Sequence, residues 1–208
     1  MEPKKVLVTG CMRSGTTWMS FALREAGLDV QHECMGADGT SSFYYALDVP
    51  EYPSFPNESP KGRVAHVGEG SRSDYEWGTI VHLIRDPLLT IASTRKLMAR
   101  KTQEWYELHG IIPPDVKPKL LRMMFAWYNL NEEIENIADL RFRMNNKEKD
   151  WAKMAKKLGI GSRIPKLPPK NVGSGFMKPD PITWDQMSAL DATLTRNIQK
   201  MGRRYGCL

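Results

Sequence analysis

The chain has 208 residues, of which 41% are hydrophobic, 26% charged and 9% aromatic, a balance that excludes a disordered or fibrous protein and is long enough to bury a full core. Thirty Lys and Arg against 24 Asp and Glu leave a formal net charge of +6, which favours anionic partners such as phosphate esters, sulfated compounds or nucleic acid. Three widely spaced cysteines, Cys11, Cys34 and Cys207, fit neither a disulfide framework nor a paired zinc-ligand spacing. With neither a signal-peptide core nor a run near the ~20 apolar residues of a membrane span, the expectation is a cytoplasmic protein without a membrane partner.

Taken in chain order, Lys4 to Thr9 is a short strand-like run ending at Gly10, and Thr16 to Ala26 carries Trp18, Ala22 and Ala26 at helical spacing. Gln31 to Arg63, with prolines at 50, 53, 56 and 60, reads as irregular. Val64 to Val67 and Thr79 to Ile84 are further short strands, and after the second Asp86 suits a helix cap and Pro87 its first position. Lys119 to Ile137 places Leu120, Met124, Trp127, Leu130, Ile134 and Ile137 on one helical stripe, and Leu140 to Met144 reads as a strand. Lys147 to Leu158 is a charged surface helix, and Gly161 to Pro181 is again rich in Pro and Gly. A closing helix from Thr183 to Arg204 opens on a capping box, Thr183 with Gln186.

Strands alternating with helices predict an α/β fold, one domain over residues 1–208 with a central, mainly parallel sheet flanked by helices. Ligands of such sheets bind beyond the carboxyl ends of the strands. The irregular stretches 31–63 and 161–181 are expected to serve as substrate or lid segments.

The turn Gly10-Cys11-Met12-Arg13-Ser14-Gly15-Thr16-Thr17 has the glycine spacing of a P-loop, between a strand and a helix. Backbone N–H groups there converge on an anion, the helix N-terminus adds partial positive charge, and Ser14, Thr16 and Thr17 add hydroxyl donors. The lysine of a nucleotide triphosphatase is missing, replaced by Thr16, and the cation is Arg13.

Arg13-Ser14-Gly15-Thr16-Thr17-Trp18 matches the turn of sulfotransferases that use 3′-phosphoadenosine 5′-phosphosulfate, and a second motif, Leu83-Ile84-Arg85-Asp86-Pro87 followed by Ser93, stands at that family's spacing. The chain therefore resembles this family, most closely its prokaryotic and phage-type members, with the firmest likeness over about residues 5 to 100. The resemblance implies that Arg13, Ser14, Gly15, Thr16, Thr17 and Trp18 hold the 5′-phosphosulfate of the donor, while Arg85 and Ser93 hold its 3′-phosphate. It implies transfer of a sulfuryl group to a hydroxyl or amine of an acceptor (a small molecule, carbohydrate or lipid), with the bisphosphate as product and no requirement for metal. The Arg-Lys-Gly run that many cytosolic members carry near the C-terminus does not occur; Lys166, Lys170 and Asn171, beside Gly173-Ser174-Gly175, are candidates for its work.

In this family the base is a His or a Glu, the latter in a Glu-Lys-Ser or Glu-Lys-Thr context after a central strand. Glu69-Gly70-Ser71 follows Val64 to Val67, so Glu69 is the first candidate for the base, with His66 and His32 as rivals. Arg13, with Thr16 and Thr17, is expected to stabilise the leaving phosphate. Two other classes compete: a P-loop kinase or triphosphatase, and a non-enzymatic nucleotide- or nucleic-acid-binding module. The basic stretches at 95–101 and 147–157 interleave with acids and apolar positions and read as solvated helix faces, so no stable nucleic-acid partner is expected.

Overall fold

A computed structural model describes residues 5–49, 70–98, 100–166 and 179–208. Among them are five strands, β1 (Lys5–Thr9), β2 (Val30–His32), β3 (Gly39–Ser41), β4 (Trp77–Ile84) and β5 (Leu140–Arg143). They form one parallel sheet in the order β2-β3-β1-β4-β5. The register pairs Val8 of β1 with Ser41 on one side and Val81 on the other. The expected strand Val64 to Val67 lies outside the described residues.

Seven helices accompany the sheet in the described residues: α1 (Thr16–Glu25), α2 (Pro87–Leu97), α3 (Arg100–Leu108), α4 (Lys119–Glu135), α5 (Lys147–Leu158), α6 (Trp184–Leu190) and α7 (Ala192–Tyr205). Strand alternation divides them between the faces. Val81 and Leu83 of β4 pack with Trp18, Met19 and Leu23 of α1 and Trp151 and Met154 of α5. Ile84 joins Ile91 of α2, Trp127, Leu130 and Ile134 of α4, and Ile198 and Met201 of α7. With helices on both faces, the central strands are apolar on both sides, which is why Val6 to Val8 read as a continuous run. Each fully buried large side chain contributes ~1.5–3 kcal/mol relative to exposure, so the α4 stripe is a main support of its face.

Several helix ends follow the predicted chemistry. Asp86 accepts a hydrogen bond from Leu89 N at 2.9 Å with Pro87 at the first position of α2, and Thr183 and Gln186 form both bonds of a capping box.

Two expectations are corrected. The stretch 31–63 is not irregular at its start: His32 ends β2, Gly39 begins β3, and a buried 3-10 turn follows at Tyr44–Ala46. Strands of three residues are too short to show alternation, and β3 reads Gly-Thr-Ser, with no apolar side chain. Gly39 has φ 139°, and a Cβ there would stand 1.9 Å from Val6 O, so only glycine lets β3 approach β1. The link between β2 and β3 is held by Asp29 and Asp38: Asp29 N donates to Asp38 Oδ2 at 2.7 Å and Ala37 N donates to Asp29 Oδ2 at 2.8 Å.

Helix α3, for which no element is predicted beyond residue 101, buries Thr102, Trp105 and Tyr106 along an otherwise charged helix. The second correction is the closing helix, which breaks into α6 and α7 at Asp191. That residue adopts an extended conformation, and its carboxylate accepts from Leu194 N at 2.8 Å, capping α7. The break leaves Leu190 39% exposed and off the stripe that Met187, Leu194, Ile198 and Met201 bury.

The chain runs from β1 to β2 and β3 on one side of the sheet and to β4 on the other. The strand order therefore reverses between β1 and β4, and open α/β sheets bind ligands outside the carboxyl ends of the strands at such a point.

Candidate functional site

Gly10 leaves β1 so close to β4 that a Cβ on it would stand 2.3 Å from Leu83 O and 2.5 Å from Ser14 Oγ. The turn closes through Ser14 N donating to Cys11 O at 2.9 Å. It then reaches α1 through Gly15, which has φ 116° and gives the helix no side-chain cap. The first N–H groups of α1 are thus available to an anion, in the field of the helix N-terminus. Ser14 is 1% exposed, and its Oγ has no hydrogen-bond partner. A buried hydroxyl left unpaired costs ~1–3 kcal/mol, a cost that a bound oxyanion would remove. Cys11, beside it, is no nucleophile, because burial pushes its thiol up to about 12.

Arg13, Arg85 and Ser93, from the two sequence motifs, meet at this turn, and Thr94 joins them. Arg13 Nε donates to Ser93 Oγ at 3.1 Å and Arg85 Nη1 donates to Arg13 O at 3.2 Å, while the Thr94 hydroxyl is shared between Thr90 O at 2.8 Å and Met12 O at 3.1 Å. The end of β4 and the face of α2 thereby touch the turn. Burial first, and the Arg85 guanidinium second, lower the pKa of Arg13; burial also lowers that of Arg85. Two partly buried guanidiniums this close repel, and an anion between them relieves the repulsion.

The ends of β2 and β3 close the other side. His32 Nε2 lies 3.0 Å from Thr17 Oγ1, 3.3 Å from Thr16 Oγ1 and 3.3 Å from Glu33 Oε1. Burial, then Arg13, lower the His32 pKa to about 4, so its imidazole is neutral at pH 7. Glu33 is buried, and burial raises its carboxyl to about 8 against the opposing hydrogen bonds of Ser42 and the Phe43 N–H. Ser42 Oγ donates to Glu33 Oε2 at 2.6 Å, and Ser41 Oγ donates to Thr16 O at 2.8 Å. The two described non-glycine residues with left-handed φ, Arg13 at 71° and Glu33 at 56°, both belong to this constellation; such strain costs ~1–3 kcal/mol each.

Of the residues singled out by sequence, Arg13, Ser14, Gly15, Thr16, Thr17, Arg85 and Ser93 come together here, with His32 beside them. Trp18 turns into the core against Phe142, with ring centroids 6.0 Å apart, and Lys147 Nζ lies 4.6 Å from its ring centre. Glu69 and His66 lie outside the described residues, as do Lys170, Asn171 and the Gly173-Ser174-Gly175 segment; Lys166 is exposed. Sequence reasoning missed Glu33 and Ser42. The signal available was the position of Glu33 directly after a base candidate, at a strand's carboxyl end.

A separate depression of about 450 Å³ lies between β5, α5 and α7. Five of its charged side chains pair with each other: Arg143 with Asp150 at 2.7 Å, and Arg141 and Arg204 with Glu135. It reads as an ion-pair network supporting the β5 edge.

The chain matches no known protein-family model, and no curated protein sequence matches it either.

Proposed function

We propose that this protein is a sulfotransferase that moves a sulfuryl group from 3′-phosphoadenosine 5′-phosphosulfate to a hydroxyl or amine of an acceptor. The observation that carries the reading is the convergence of Arg13, Arg85 and Ser93, drawn from two separate motifs, on one glycine turn. The orphaned Ser14 Oγ and the close approach at Gly10 fit an oxyanion at that turn.

When bound, the donor supplies a sulfuryl group activated by a phosphate leaving group. Ser14, Gly15, Thr16 and Thr17 would hold its 5′ end, and Arg85 and Ser93 its 3′-phosphate. Arg13 offers positive charge where the leaving phosphate gathers negative charge, the same logic as in phosphoryl transfer. Glu69 is proposed as the group that takes the acceptor's proton, a role worth ~10²–10⁴ in rate. The acceptor is proposed to be a small molecule, carbohydrate or lipid.

A magnesium-nucleotide kinase is less well supported. The turn from Cys11 to Thr17 contains no lysine. The carboxylate nearest the end of β4, Asp86, is engaged in capping α2 through Leu89 N.

The test is the affinity of Arg85→Ala for 3′-phosphoadenosine 5′-phosphate. Loss of about tenfold or more, the scale of a charge-assisted phosphate contact, is expected. Wild-type affinity would remove Arg85 from the site and the reading with it.

A further inference from the structure

We propose that His32 is a positioning residue for the anion-binding turn: its Nε2 orients the Thr16 and Thr17 hydroxyls, and Glu33, anchored by Ser42, orients His32. The proposal rests on the reading of the β1–α1 turn as an oxyanion site, and it adds residues from β2 and β3 that neither motif contains.

A threonine hydroxyl has one hydrogen to give. When His32 Nε2 carries its proton, it donates to the Thr17 oxygen at 3.0 Å, with the Thr16 oxygen at 3.3 Å. Both hydroxyl hydrogens are then left to point at an anion. When the proton sits on Nδ1 instead, Nε2 accepts from one of those hydroxyls, Thr17 being the nearer, and turns it away. The tautomer of His32 therefore decides whether the turn presents two hydroxyl donors or one.

Glu33 is placed to set that tautomer. Its Oε1 stands 3.3 Å from the same nitrogen, and an oxygen that accepts at that position, as the unprotonated oxygen of the neutral carboxyl does, favours Nε2–H. Its other oxygen is fixed by Ser42 Oγ at 2.6 Å, and Ser42 N donates in turn to Val8 O at 2.9 Å. A continuous chain of bonds thus runs from the backbone of β1 through Ser42, Glu33 and His32 to the first turn of α1. The titratable groups facing this chain include Arg13 from the turn, which acts on His32, Tyr44 from the 3-10 turn, Cys34 and Tyr106, the pKa values of the last three being raised by Glu33 after burial. Independent of these bonds, Ser14 Oγ, 1% exposed, without a hydrogen-bond partner and 2.5 Å from where a Gly10 Cβ would stand, points to the interior of the same turn as a place for an oxyanion.

The test is a double-mutant cycle read by calorimetry with two probes, 3′-phosphoadenosine 5′-phosphate and inorganic pyrophosphate. His32→Leu and Thr17→Val are each expected to weaken binding about tenfold, as loss of a hydrogen bond to a charged group does. The pair together should be no weaker than the worse single variant, because the two act through one contact. His32→Gln, whose amide nitrogen reaches the Nε2 position, is expected to restore affinity to within about threefold of wild type. A merely structural histidine would show neither the non-additivity nor the rescue. Should His32→Leu fail to fold, His32→Asn, whose amide is too short, takes its place against His32→Gln. Wild-type affinity in His32→Leu or His32→Asn for both probes, or losses that multiply, would overturn the proposal. A wild-type protein that binds pyrophosphate but not the bisphosphate contradicts the sulfotransferase reading while the cycle is still scored on pyrophosphate. Binding of neither overturns both.

Discussion

Arg13 Nε donates to Ser93 Oγ at 3.1 Å although eighty positions separate the two residues. This contact joins the turn after β1 to the helix after β4 and brings two motifs, recognisable apart in the sequence, to one place. It is a charge-assisted bond from a guanidinium that burial and Arg85 already disfavour. Ser93→Ala is expected to weaken binding of 3′-phosphoadenosine 5′-phosphate about tenfold with little change in melting temperature. Unchanged affinity by calorimetry would show that the hydroxyl serves only to brace Arg13.

Gly10 has no room for a side chain, since the obstruction at 2.3 Å is the backbone carbonyl of Leu83. Gly10→Ala must push β1 away from β4 or open the turn, and overpacking of this kind costs ~1–3 kcal/mol. A urea denaturation midpoint lowered accordingly, with loss of anion binding, is the expected outcome. A midpoint equal to wild type would mean that the two strands are not held as closely as described.

Glu33 sets a pH dependence of stability. Its carboxyl is raised from 4.5 to about 8, first by burial, so the folded protein keeps this proton when the unfolded chain has lost it. The stability from the neutral form is complete below pH 4.5 and is lost as pH rises towards 8, at up to ~1.4 kcal/mol per pH unit. Glu33→Gln should remove that decline, so that unfolding curves for the variant measured from pH 5 to pH 8 are flatter than wild type. Parallel profiles would place Glu33 in a better solvated position.

His82 acts on the acid side. It is fully buried in β4, its Nε2 lies 2.8 Å from Asn131 Oδ1, and its Nδ1 has no partner. Burial first lowers its pKa from 6.5 to about 4. The contribution of the neutral ring is complete above pH 6.5 and is lost as pH falls towards 4, at up to ~1.4 kcal/mol per pH unit. His32, lowered to about 4 as well, adds a second loss of the same sign. His82→Gln should shallow the fall in melting temperature between pH 6.5 and pH 4, and an unaltered acid limb would contradict the assignment.

Much of this architecture was legible in the residues, and for physical reasons. Val6-Leu7-Val8 before two glycines announces a buried strand and a turn, Asp86-Pro87 announces a helix start, and Thr183 with Gln186 announces another. Each is a local signal whose chemistry is complete within a few residues. What escaped was non-local. β3 contains no hydrophobic residue and exists because Gly39 can lie against Val6. The break at Asp191 depends on a carboxylate choosing a backbone N–H that an unbroken helix would have used. Glu33 reads as a solvated loop acid until Ser42 and the neighbouring strand bury it. The candidate site was half legible: its motifs name Arg13, Arg85 and Ser93, but no spacing rule shows that His32 reaches Thr16 and Thr17.

The most direct measurement is a calorimetric titration of the wild-type protein with 3′-phosphoadenosine 5′-phosphate in the absence of added metal, set beside ATP with magnesium. Micromolar binding of the bisphosphate with weak binding of ATP is the expected result, since Arg85 and Ser93 have a 3′-phosphate to meet only in the former. Tight binding of magnesium ATP with no response to the bisphosphate would contradict the sulfotransferase reading and return the turn after β1 to the nucleotide kinases.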